Sequence, residues 1–401
     1  MLIQKVTMLG HKDHGKSTLL GMLLIATNST SQERIAEARR ISEELHRQFE
    51  PGFILDAFSE ERVKGLTIDT TRAELKFKGV GFEFIDVPGH EELINNMLTG
   101  ASNANVAVLV VSAKPNEGIT EQTKRHLFLA RMLGISKLVV AINKMDVVSH
   151  QIQAYESIKQ KLSGYLEKIG FSRRSVSFVP ISAYANENLV KRSLRMGWYK
   201  GKPLMYHLLS AVTRHNEPYK ATPLRILLQG KLDKNTLAGR VISGTLRSGA
   251  RLRILPSGKT IKARNIFVAG KPRKSATAKE SVAIALDRAS GNYSGIICEG
   301  KNMPKVAKSF VAEVFFVRSI KGKVSIRLNG TKIGAHFKDI KTINISNGEF
   351  ALRSAKALDA ATAKVQLDKP AAFERFDYIK ELGRFTIYSG NRFVGIGIIK
   401  Q

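Results

Sequence analysis

The chain has 401 residues, 43% hydrophobic and 24% charged, enough for two or three cores, and no apolar run in it approaches the length needed to cross a bilayer. One cysteine, Cys298, excludes a disulfide framework and a thiolate metal site, and MLIQKVTML enters the first strand without a charged region or cleavage site, so a cytoplasmic location is expected. The formal net charge is +30 and uneven: beyond Lys220, 34 Lys and Arg stand against 12 Asp and Glu, an excess that points to RNA or another polyanion as partner.

The apolar run Val6 to Leu9 reads as a buried strand and ends at Gly10-x-x-x-x-Gly15-Lys16-Ser17, a phosphate-loop pattern. Its glycines allow the backbone to approach a polyphosphate, and the following helix offers a positive N-terminus. Lys16 would reach the terminal phosphates and the Ser17 hydroxyl would hold Mg²⁺. Ser17 to Ala26 predicts a buried helix. Thr30-x-x-Glu33 is a capping-box pattern, and Ile35, Ala38, Ile41, Leu45 and Phe49 follow at helical spacing, predicting a long helical segment that ends at Pro51-Gly52. After a charged stretch comes Gly65-Leu66-Thr67, where Thr67 would be a second Mg²⁺ ligand on a loop able to sense the γ-phosphate. Residues 72–86 predict a hairpin that feeds Asp86-Val87-Pro88-Gly89-His90. There the Asp86 carboxylate can reach Mg²⁺ through water and the Gly89 N–H can meet the γ-phosphate.

Strands and helices then alternate, which predicts a mostly parallel sheet with helices on both faces and ligands at the strand C-terminal ends. Asn143-Lys144-Met145-Asp146 follows one of these strands, and Asp146 can accept both N–H donors of a guanine edge. Ser182-Ala183-Tyr184 stands at the last such end, close to where the base would lie. Beyond about His215 short apolar runs separated by turn residues predict β-barrels, with Gly300 to Lys308 as a joint between two of them. The expected domains are 1–217, 218–303 and 304–401. Within the second, Lys259, Lys262, Arg264, Lys271, Arg273, Lys274 and Lys279 form the first place to look for RNA contacts.

These residues resemble the translation GTPases of the elongation factor 1 alpha and elongation factor Tu family. The resemblance runs nearly end to end: GHKDHGKST, EERVKGLTID, DVPGHEELINNMLTGASNANVAVLVVSA, AINKMD and VPISAYANENL, then Gly239-Arg240-Val241-x-Ser243-Gly244 in the second domain and Leu382-Gly383-Arg384-Phe385 in the third. It implies a P-loop GTPase domain followed by two barrels, GTP and GDP as ligands, and activator-dependent hydrolysis in which His90 positions the attacking water. It implies a nucleotide set of Gly10, Asp13, His14, Gly15, Lys16, Ser17, Thr18, Asp86, Gly89, Asn143, Lys144, Asp146, Ser182, Ala183 and Tyr184, with Asp13 near a monovalent cation. Aminoacyl-tRNA, the ribosome and an exchange factor are the implied partners of a monomer. Two other branches stay open, a GTPase subunit of sulfate adenylyltransferase and a ribosome-rescue GTPase carrying a release-factor-like partner. Two departures stand out. Lys12 replaces the small aliphatic residue that, with Leu66, screens His90 from the nucleotide, and the third domain looks short and closer to the sulfate-activating subunit.

Overall fold

In the computed structural model, which describes residues 3–55, 71–86, 105–212, 223–286, 293–300, 302–320, 323–343, 350–351 and 358–401, the N-terminal run becomes the third strand of a six-stranded sheet. Its strands are β1 (Ile3–Leu9), β2 (Thr71–Phe77), β3 (Val80–Asp86), β4 (Val106–Ser112), β5 (Lys137–Asn143) and β6 (Val176–Pro180), in the order β2-β3-β1-β4-β5-β6. Only β2 runs antiparallel, because Lys78 and Gly79, at φ +48° and +78°, close the two-residue hairpin turn read from the sequence. Every residue of β4 is buried, and all of β5 except Lys137, as a parallel sheet requires when both its faces are covered.

The described helices are α1 (Lys16–Ala26), α2 (Gln32–Glu44), α3 (Glu121–Met132), α4 (Ile152–Lys168) and α5 (Leu204–Val212). In α1 the residues from Leu19 to Leu24 are all buried, matching its apolar circumference. The second helix departs from expectation at both ends. Its cap is Ser31, whose hydroxyl accepts the Arg34 N–H at 3.4 Å, one residue later than the Thr30 box predicted. It also stops at Glu44 instead of running on to Phe49: His46 takes φ +53°, outside the helical region, and Leu45 is left 52% exposed. The Ser42 hydroxyl then accepts the Glu50 N–H at 3.0 Å, turning the chain back toward α1.

The described residues through Val212 make one compact unit and those from Pro223 a second. In the second unit the strands are β7 (Arg225–Lys231), β8 (Thr236–Ser243), β9 (Thr245–Arg247), β10 (Arg251–Leu255), β11 (Lys259–Val268), β12 (Lys271–Arg273), β13 (Ser275–Thr277), β14 (Ser281–Leu286) and β15 (Ile296–Cys298), followed by β16 (Lys305–Phe316), β17 (Val324–Leu328), β18 (Thr331–Ile343), β19 (Phe350–Ala351), β20 (Ala360–Phe373), β21 (Arg384–Ser389) and β22 (Arg392–Ile399). The order β10-β15-β7-β8-β14-β11 closes on itself through β10–β11, and β17-β21-β22-β16-β20-β18 closes through β17–β18, giving two six-stranded antiparallel barrels. Each is filled by the inward residues of alternating strands, such as Leu237, Val241, Ile254 and Ile284 in the first and Val314, Ile326, Val365 and Ile387 in the second. The joint is shorter than Gly300 to Lys308, since Lys305 already belongs to β16.

The barrels share a small apolar cluster of Leu255, Ile296, Cys298, Ala372, Ile379 and Leu382. Cys298 is buried there and its thiol is pushed up by burial, in keeping with a packing role. Beside it lies a fully buried arginine. Arg225 donates from Nε to Glu374 Oε1 at 2.7 Å and from its two terminal nitrogens to Leu224 O and Asn302 O at 3.0 and 2.7 Å. The charge is therefore both paired and hydrogen-bonded.

Candidate nucleotide site

The loops that follow β1, β4, β5 and β6 all leave the same edge of the first sheet, because these four strands are parallel and in register: Leu9 lies opposite Leu109, and Ser112 opposite Asn143. The first of these loops is held open by two glycines for different reasons. At Gly10, φ +136°, a Cβ would lie 2.4 Å from Val110 O. At Gly15, φ +82°, it would lie 2.6 Å from Asn143 Nδ2. Neither position admits a side chain without displacing backbone or the buried amide.

Lys16, the first residue of α1, folds its ammonium back over the loop, where it donates to Gly10 O at 3.2 Å and His11 O at 3.1 Å. The cation is thus fixed above the turn whose N–H groups and helix N-terminus favour an anion. Ser17 is exposed, and its hydroxyl has no hydrogen bond among the described residues. Thr18 donates to Glu50 Oε1 at 2.7 Å, and the same oxygen accepts the Gly52 N–H at 3.1 Å, so Thr18 anchors the chain after α2. The His14 ring turns inward, Nδ1 lying 3.2 Å from Val110 O, and burial holds its imidazole below the ordinary histidine range. At this position the ring packs the loop onto β4 and only the backbone faces the loop interior. Asp13 is exposed, 3.5 Å from His11 Nδ1.

Asn143 joins three of the loops. Its Nδ2 donates to His14 O at 2.9 Å and its Oδ1 accepts the Ala183 N–H at 2.9 Å, all within buried surroundings. Lys144 takes φ +62°, and its ammonium meets Glu117 Oε2 at 2.7 Å. Glu117 also takes Lys114 at 3.0 Å. The Lys144 hydrogen bond, with help from Ser112 and Lys114, pulls the Glu117 carboxyl down to about 2. Asp146 is half-buried, and its carboxylate has no partner among the described residues. Ser182 is buried, accepting the Ala185 N–H at its hydroxyl at 3.1 Å, whereas Tyr184 is exposed and donates to Gln48 Oε1 at 3.1 Å.

The expected residues of the first loop, the Asn143 loop and the Ser182 loop are therefore brought to one edge. Asp86 ends β3 on the same side, parallel to β1 and opposite Met8, with its side chain outside the described residues. Thr67, Gly89, His90 and Leu66, and the side chain of Lys12, also lie outside them. Glu117 escaped the sequence reading, since it stands 27 residues from Lys144 and only the adjacency of β4 and β5 brings the two together.

The basic candidates of the first barrel do not form one patch. Lys262 and Arg264 lie on the outer side of β11, beside the inward-facing Ile261 and Ala263. Lys271 and Arg273 sit on β12 in register with Val268 and Ile266, so they take the opposite side, while Lys274 is exposed just beyond. Lys259 rests its ammonium over the Tyr293 ring, 5.4 Å from the centroid, with Lys231 over the same ring at 5.3 Å. Lys279 is exposed at φ +77°.

Residues 1–218 match the family model described as elongation factor Tu GTP binding domain, and residues 318–400 match GTP-eEF1A C-terminal domain-like. Elongation factor 1-alpha of Thermoplasma acidophilum is 33% identical over 97% of this chain and 95% of its own length, and that of Aeropyrum pernix 32% identical over 98% and 95%. A crystal structure of sup35 complexed with GDP aligns over 100% of this chain and 94% of its own at 23% identity, with a TM-score of 0.42. The match over 318–400 puts the short third domain with the elongation factors, and neither the sulfate-activating nor the rescue alternative has support in these relatives. The chain belongs to the elongation factor 1 alpha and elongation factor Tu family of translation GTPases, whose shared activity is the hydrolysis of GTP.

Proposed function

We propose that this elongation factor carries aminoacyl-tRNA to the ribosome in its GTP form and releases it on hydrolysis to GDP and phosphate. The observation that supports the reading best is the Asn143 amide, which ties the phosphate loop at His14 to the Ser182 loop at Ala183 and so presets one edge for a guanine nucleotide. In this reading Gly10, Asp13, Gly15, Lys16 and Thr18 surround the phosphates, Asp86 and Gly89 approach the γ-phosphate, and Lys144, Asp146, Ser182, Ala183 and Tyr184 border the base. The Ser17 hydroxyl, unpartnered among the described residues, suits an oxygen-seeking cation, so Ser17 and Thr67 would hold Mg²⁺, with Asp86 reaching it through water. Bound there, Mg²⁺ supplies neutralisation of charge between the β- and γ-phosphates. His90 orients the attacking water once the ribosome orders the site, which makes intrinsic hydrolysis slow.

The domains are 1–217 for GTP and 218–303 and 304–401 as barrels. Their basic residues, including Lys259, Lys262, Arg264, Lys271, Arg273 and Lys274, contact RNA phosphates, and the carrier works as a cytoplasmic monomer with an exchange factor. No described helix is long and apolar enough to cross a membrane.

The base assignment has a direct test. Asp146 accepts two N–H donors from guanine, and Asp146→Asn turns one acceptor into a donor, which suits xanthine instead. The variant should lose GDP affinity by about a hundredfold or more and gain affinity for xanthosine diphosphate. Unchanged preference for GDP in a fluorescence titration would place the base elsewhere.

A further inference from the structure

The loops after β5 and β6 are tied to each other twice. At their start, Asn143 Oδ1 accepts the Ala183 N–H at 2.9 Å. At their far end, Nε2 of His150 donates to Glu187 Oε2 at 2.7 Å, between residues 37 apart in the chain. His150 comes four residues after Asp146 and Glu187 five after Ser182. Each member is set by its own loop. In the first, Met145 O accepts the His150 N–H at 2.8 Å and Asp146 O the Ser149 N–H at 3.2 Å, with Ser149 and His150 at φ +51° and +58°. In the second, Ser182 O accepts the Glu187 N–H at 2.9 Å, which brings Glu187 back beside Ser182. The chain that follows holds both from behind: Trp198 Nε1 donates to His150 O at 2.9 Å, and Ser193 Oγ donates to Glu187 Oε1 at 3.2 Å. The His150 and Glu187 side chains are only 14% and 12% exposed, so salt and water screen their contact little.

Two loops joined at one end only can pivot about that joint, whereas two joined at both ends keep their spacing. A guanine bordered by Asp146 on one loop and Ala183 on the other needs that spacing, because hydrogen bonds weaken steeply once donor and acceptor are misaligned. Asp146 has no side-chain partner of its own among the described residues, so its carboxylate is placed by the loop that carries it. We infer that His150 and Glu187 are positioning residues for guanine recognition, fixing Asp146 relative to Ala183 from behind the base. This rests on the base assignment proposed above and names the contact that makes that assignment selective.

The test measures release of GDP and of inosine diphosphate, which lacks the 2-amino group, from the full chain. His150→Ala and Glu187→Ala should each speed GDP release about tenfold, and the double variant no more than either single, because the same contact is lost in all three. Inosine diphosphate makes one hydrogen bond fewer to Asp146 and should leave only about twofold faster, so the preference for GDP narrows about fivefold. His150→Gln keeps an N–H donor at similar reach and should hold GDP release within about threefold of wild type. It shares with His150→Ala the cost of a side chain at φ +58°, so comparing the two isolates the contact, and the two His150 variants carry the test if Glu187→Ala does not fold. A pair that only stabilised the fold would lower the thermal midpoint and speed release of both nucleotides equally, and that result overturns the inference. So does unchanged GDP release in His150→Ala, or effects that multiply in the double variant. If the wild type prefers GDP and the variants keep that preference, the inference falls alone. A wild type that does not distinguish the two nucleotides overturns the base assignment with it, which Asp146→Asn tests separately.

Discussion

Glu117 is the residue that most changes how the Asn143 loop is understood. Lys144 is readable from AINKMD, but a lysine side chain is long and mobile, and what fixes it is the Glu117 carboxylate at 2.7 Å. Glu117→Gln would replace a charge-assisted hydrogen bond with a neutral one at a loss of about 1.5 kcal/mol, so GDP should bind roughly tenfold more weakly, mainly through faster release. Stopped-flow dissociation of a fluorescent GDP checks this, and an unchanged release rate contradicts it. Acidity gives a second readout. The folded carboxyl titrates at about 2, below its ordinary value of 4.5, so its contribution to stability is full above about pH 4.5 and disappears as pH falls toward 2. Glu117→Gln should therefore lack that part of the acid destabilisation over the same window. The phosphate-loop glycines, Lys16 and Asn143 were legible because their chemistry depends on local spacing. Glu117 was not, because Pro115-Asn116-Glu117-Gly118 looks like any turn until the sheet order is known.

At the scale of elements, short apolar runs between turn residues were enough to predict barrels beyond about His215, and β17 shows why, with Ile326 and Leu328 buried and Arg327 between them exposed. Other strands are too short or too mixed to be read singly. Ile296–Cys298 is only three residues, too few for periodicity to distinguish, yet it closes the first barrel between β10 and β7. The helix read across Leu45 and Phe49 failed because helical spacing continued past a break that the backbone makes at His46. Nothing in the local sequence marks Arg225 as buried either, since its partner Glu374 is 149 residues away. Removing the arginine leaves that carboxylate buried without its cation. Arg225→Met should cost the barrel unit about 3–5 kcal/mol, and the Arg225→Met/Glu374→Leu pair should recover most of the loss, since an apolar replacement of both partners restores a consistent interior. Urea unfolding measures both. A single variant within about 1 kcal/mol of wild type would show that the pair adds little.

Across the whole molecule the charge is concentrated where the nucleotide is not: the residues beyond Lys220 carry +22, those before them +8. This division was legible from composition alone, whereas the sorting of cations onto separate faces required strand register. A nucleotide-binding edge and a strongly basic pair of barrels in one chain suit a carrier whose hold on RNA is governed by GTP. Aminoacyl-tRNA and deacylated tRNA should therefore be compared for binding to the GTP-loaded and GDP-loaded chain at two salt concentrations. Carrier function predicts preference for the aminoacylated form that requires GTP and persists at the higher salt. Equal, salt-sensitive binding of both tRNAs in both nucleotide states would contradict it, leaving only affinity for polyanions.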